Sequence, residues 1–94
     1  MPIQQVISII KSEAHEFVTA GLVTRAQKII TKTGKPMLFA KIEDFTGNIE
    51  VIVFPETYAK TMAAWRENAV VGVLGKLSFR DGDAKIICNN AREL

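Results

Sequence analysis

The sequence holds one cysteine, Cys88, and one histidine, His15. A single thiol excludes an internal disulfide and points to a reducing compartment. The two residues together also fall short of the four ligands usual in a structural zinc site. No run approaches the roughly 20 apolar residues that a membrane helix needs. The opening MPIQQVISIIKSE has neither the basic leader nor the long apolar core of a signal peptide. A soluble, cytoplasmic chain with no membrane contact and no cofactor is therefore expected. Catalytic signatures are missing too: there is no nucleophile elbow, no P-loop and no paired metal-binding carboxylate motif. His15 has no evident Cys or Asp partner, and Glu43 and Asp44 are neighbours that a strand would point to opposite faces. One absence is informative in the other direction. No acidic residue lies between Glu16 and Glu43, while Arg25, Lys28, Lys32, Lys35 and Lys41 all do. The chain's formal charge is only +2, so this segment concentrates a positive field of the kind that holds polyanions.

What is present is enough for one small domain: 94 residues, 48% of them hydrophobic, can bury a single core. Ile3, Val6, Ile7 and Ile10 have the spacing of one helix face, and predict an amphipathic helix over 1–14. Such a short helix must dock on something, whether this domain, a second copy or a neighbour. Residues 15–94 form the rest of the domain. A β-type stretch runs over 16–30, with Gly21 inside it as a candidate bulge or bend. Strands over 37–44 and 49–54 flank a turn at Phe45-Thr46-Gly47-Asn48 and form a hairpin, with Asp44 expected to cap the turn. The period then changes: 55–68 reads as a helix opened by Pro55, with Tyr58, Met62 and Trp65 on one face. Strands follow over 69–80 and from 83 to 89 or beyond, joined at the hairpin signal Asp81-Gly82.

Three strands, a helix and two strands, with a long bent first strand, describe a mainly β, five-stranded OB-fold Greek-key barrel. Here the helix between strands 3 and 4 would plug the barrel through Tyr58, Met62 and Trp65, and the N-terminal helix is extra. The segments TKTGKPM, IEDFTGNIEVIVFPETY and GKLSFRDGDAKI closely resemble the OB domain of the bacterial DNA polymerase III alpha subunit, a replicative DNA-directed DNA polymerase. The resemblance covers roughly residues 17–94. The portion D-x-T-G-x-I-E is also similar to anticodon-binding OB domains of aminoacyl-tRNA synthetases. This resemblance implies a non-catalytic nucleic-acid-binding module, with the polymerase active site elsewhere.

Strand alternation locates the candidate site. Leu38, Ala40 and Ile42 suit a narrow interior, whereas Met37, Phe39, Lys41 and Glu43 share the other face, whose charges belong in water. Phe39 beside Lys41 then suits a base-stacking platform with a phosphate contact; the alternative is a satellite apolar cluster, with Phe39 covered by the N-terminal helix or by Phe54. On the next strand Ile49, Val51 and Val53 point inward and Glu50, Ile52 and Phe54 outward. OB-folds bind on this face with help from the loops between strands 1–2 and 4–5. Lys32 and Lys35 stand in the first loop and Arg80 in the second, with Lys85 just beyond. In anticodon-binding relatives the position matching Phe39 stacks on a base. The candidate nucleic-acid-binding set is Arg25, Lys28, Lys32, Lys35, Phe39, Lys41, Glu50, Arg80 and Lys85. Glu50 would accept from base edges or pair with Lys41. The expected partner is single-stranded DNA, bound without sequence preference; RNA is the alternative ligand. Other replisome subunits or the rest of a polymerase chain are alternative partners, in which case the domain is a protein–protein interaction module.

Overall fold

The computed structural model describes Ile3, residues 16–79 and residues 83–94. The N-terminal helix predicted over 1–14 lies outside the described residues except for Ile3, as do His15, Arg80 and the Asp81-Gly82 turn.

Strand β1, Glu16–Ile30, alternates Phe17, Thr19, Gly21 and Val23 inward. It is long enough to serve two neighbours. Its first half pairs antiparallel with β4, Val70–Ser78, from Glu16↔Lys76 to Leu22↔Val70. Its second half pairs with β2, Pro36–Asp44, from Leu22↔Glu43 to Ile30↔Pro36. The changeover explains Gly21: a Cβ there would lie 3.0 Å from the Glu43 carbonyl oxygen and 3.2 Å from the Ile42 Cβ. The glycine thus permits a close backbone crossing. The bulge expected at this residue falls further along, between Val23 and Arg25, with Thr24 as the extra residue. There the strand kinks and its twist increases, which turns one sheet into a barrel.

Strand β3, Gly47–Val53, completes the hairpin with β2 and pairs in parallel with β5, Lys85–Glu93. β5 returns antiparallel along β4, so the Ser78↔Lys85 pairing brackets the predicted hairpin. The barrel is closed in the order β1-β2-β3-β5-β4, the OB arrangement expected from the element order. Closure removes exposed sheet edges.

The β2–β3 turn is two residues, Phe45 and Thr46. Asp44 holds it as expected: one carboxylate oxygen accepts from the Thr46 N–H at 2.8 Å, the Thr46 hydroxyl at 2.6 Å and the Gly47 N–H at 3.1 Å. Its other oxygen accepts from the Ile3 N–H at 3.1 Å, and the Ile3 side chain is buried in the barrel's core.

Helix α1, Pro55–Thr61, starts with proline where no backbone donor is needed, and tightens into a 3₁₀ turn over Met62–Ala64. The tightening changes the buried face. Tyr58, Thr61, Ala64 and Trp65 are buried, whereas Met62 is 55% exposed. The expected plug is therefore built with Thr61 and Ala64 in place of Met62. Asn68, where the helix was expected to end, sits at φ 70° and turns the chain towards β4.

Candidate nucleic-acid interface

The inward set on β2 and β3 is as alternation predicts. Leu38, Ala40, Ile42, Ile49, Val51 and Val53 are each at most 3% exposed. What remains outside is ordered by register, since residues opposite one another across antiparallel strands share a face. One row runs Gln27, Phe39 and Ile52, and the parallel pairing continues it to Ile87. The row beside it runs Arg25, Lys41, Glu50 and Lys85. A row that is apolar from Phe39 onward thus lies alongside a charged one, two residues away along each strand, or about 6.6 Å. Phe39 remains 37% exposed, at the centre of the face.

Two shallow cavities mark this surface. The first, about 200 Å³, is lined by Arg25, Gln27, Phe39, Ala40, Lys41 and Glu50. The second, about 320 Å³, extends over β3 to the start of β5. Lys41 and Glu50 line both and form the ridge between them. Arg25 is oriented by its own strand, its guanidinium donating to the Gln27 Oε1 at 3.3 Å.

Five of the candidate residues therefore share one face: Arg25, Phe39, Lys41, Glu50 and Lys85. Lys32 and Lys35 are exposed on the β1–β2 turn, beyond the Ile29–Met37 pair that follows the Phe39 row. That turn is organised by Thr31, whose carbonyl accepts from the Gly34 N–H at 2.9 Å and whose hydroxyl accepts from the Lys35 N–H at 3.2 Å. Gly34 adopts φ 84°, which suits glycine. Lys28 stands apart. It pairs with Leu38 and so projects from the opposite side of the sheet, where β1 runs past the barrel. Arg80 lies outside the described residues. Glu50 stands opposite Lys41, the partner expected for it, but its carboxylate engages Lys85, with Nζ 3.6 Å from Oε2.

Gln27, Ile87 and Asn48 are the members that sequence reasoning missed. Lys85 and Ile87 share an alternation, but consecutive isoleucines at 86 and 87 hide which of them faces out. The parallel β3–β5 pairing sets Ile87 outward beside Ile52. The opposite wall of the barrel carries a separate groove of about 320 Å³, largely apolar, lined by Val18, Gly72, Leu74 and Leu94 with Arg92 as its one cation. Cys88 is buried, and burial pushes its thiol up to about 11, which disfavours the thiolate at neutral pH. Among the described residues no group of three His, Cys, Asp or Glu is placed to hold a metal ion.

The family model for the OB-fold nucleic acid binding domain matches residues 17–94. The chain belongs to that family. It is 37% identical over 70 residues to the DNA polymerase III subunit alpha of Mycobacterium tuberculosis strain H37Rv, covering 74% of this chain and 6% of the relative. It is 34% identical over 73 residues to the same subunit of Bacillus subtilis strain 168, covering 78% of this chain and again 6% of the relative. These matches bear out the resemblance read from the sequence. They also show that the chain spans a small fraction of the length of the curated relatives it matches. Among solved structures, a chain from a replication protein A heterotrimer bound to ssDNA superposes with a TM-score of 0.68. That match is 24% identical and covers 88% of this chain and 60% of the other, and it supports the fold alone.

Proposed function

We propose that the domain binds single-stranded DNA as a non-catalytic module of a replicative polymerase alpha subunit. One observation carries the reading: the exposed Phe39 lies in an apolar row directly beside the cationic Arg25 and Lys41. An aromatic face accepts any base, and a neighbouring row of cations follows the phosphates of the same strand. The family description and the polymerase relatives support this chemistry. Nucleotide incorporation belongs to whole polymerases, of which this chain matches 6%, and is not expected of the isolated domain. Other replisome subunits, or the remainder of a polymerase chain, are the partners such a module would have, in the cytoplasm.

Glu43 and Glu50 place negative charge on the same face, so binding is expected to be weak and sensitive to salt. The test is a fluorescence titration of labelled single-stranded DNA and RNA of one sequence at two salt concentrations. Saturable binding of DNA that weakens as salt rises supports the proposal. Selective retention of RNA would transfer the reading to an RNA-binding module, and no binding of either at low salt would remove it.

A further inference from the structure

Resting on that reading, we infer that the second cavity is a nucleotide subsite which distinguishes bases by their amino groups. This cavity lies next to the Phe39 cavity across the Lys41–Glu50 ridge. A strand with one base stacked on Phe39 would deliver an adjacent nucleotide there. Its polar lining is Lys41, Asn48, Glu50, Asp83 and Lys85, over the buried Ile49. Its composition differs from that of the first cavity, which pairs an aromatic with cations and one carboxylate. Two carboxylates, Glu50 and Asp83, here face a space large enough for a nucleobase, with Lys41 and Lys85 beside them to meet phosphate.

Ionised carboxylates only accept hydrogen bonds. They favour bases that present amino donors, as when Glu or Asp accepts from the N4 amino group of cytosine. Thymine presents carbonyl oxygens on either side of one N–H, and those oxygens are repelled. Lys85 Nζ lies 3.6 Å from Oε2 of Glu50, which keeps these two side chains near one another at the cavity wall. The subsite thus takes cytosine, adenine or guanine in preference to thymine, and adds a mild base preference to an otherwise tolerant platform.

The probes are dC12, dT12 and a 12-mer of 5-methyl-dC, compared by fluorescence anisotropy at neutral pH and one low salt concentration. The 5-methyl-dC strand carries thymine's methyl group with cytosine's amino group. Both cytosine strands are expected to bind about five- to tenfold more tightly than dT12, within the range for one good polar base contact. In the double variant Glu50→Gln, Asp83→Asn the ratio should fall towards one, chiefly because dT12 binds better. Equal affinities in the wild type, or an unchanged ratio in the folded variant, would overturn the subsite and leave the Phe39 platform standing. Failure of every strand to bind a folded protein would instead remove the platform reading, and the subsite with it.

Discussion

The Trp65 indole N–H donates to the Thr61 hydroxyl at 3.1 Å, inside the plug that closes one end of the barrel. The same hydroxyl donates to the Thr57 carbonyl at 2.8 Å, so the buried polar groups satisfy one another. Trp65→Ala is expected to cost roughly 3–5 kcal/mol, a large share of a small domain's stability. Thr61→Val keeps the shape but leaves the indole N–H without its acceptor, at about 1–3 kcal/mol. Thr61→Ser should lose less, since it keeps the hydroxyl. Urea melts followed by circular dichroism, a signal that survives loss of the single tryptophan, give the ranking. A Thr61→Val protein as stable as Thr61→Ser would show that the bond contributes nothing.

Asp44 supplies a pH-dependent contribution. Its hydrogen bond from the Thr46 hydroxyl, helped by the N–H groups of Ile3, Thr46 and Gly47, lowers its carboxyl below the ordinary 3.8 despite opposing desolvation. A depressed native value means that the folded protein binds the proton less readily than the unfolded chain. The stabilisation is therefore complete above about pH 4 and disappears as pH falls through the native value. Thermal melts between pH 2 and 7 should show a shallower acid decline in Asp44→Asn than in the wild type. Parallel declines would assign the acid sensitivity to other carboxylates.

Lys32 and Lys35 test the electrostatic reach of the face. Each phosphate contact on a single strand contributes about −0.7 to the slope of log affinity against log salt. Replacing both lysines by alanine should weaken binding to every sequence and flatten that slope by up to about 1.4. Lys28→Ala, on the other side of the sheet, should leave both quantities nearly unchanged. If Lys28→Ala had the larger effect, the strand would have to follow a different wall of the barrel.

Period-2 patterning made β2 and β3 legible, because Leu38, Ala40, Ile42, Ile49, Val51 and Val53 all point in while Lys41, Glu43 and Glu50 point out. The turn at Asp44 was legible from local chemistry. Met62 was misplaced because its assignment assumed 3.6 residues per turn, and the helix tightens after Thr61. Lys28 was grouped with Arg25 by charge, although two strand residues three apart already face opposite ways. The Glu50–Lys85 pair and the place of Ile87 beside Ile52 depend on the parallel pairing of β3 with β5, a long-range contact that no local pattern encodes.

Phe39 decides between platform and core. It stands between Gln27 and Ile52 in its row, is 37% exposed, and alternates with Leu38 and Ala40, which are buried. If bases stack on it, Phe39→Ala should cost about 1–3 kcal/mol of single-strand affinity. Its stability loss should stay well short of the roughly 3–5 kcal/mol for emptying a buried phenylalanine site. Phe39→Tyr keeps the aromatic face and should retain binding. Leu38→Ala should reverse the pattern, losing about 2–5 kcal/mol of stability while the fraction still folded binds normally. Melting temperature and affinity measured on the same four proteins separate the two roles. A Phe39→Ala protein that melts far lower yet binds with wild-type affinity when folded would place this ring in the core and end its role as a platform.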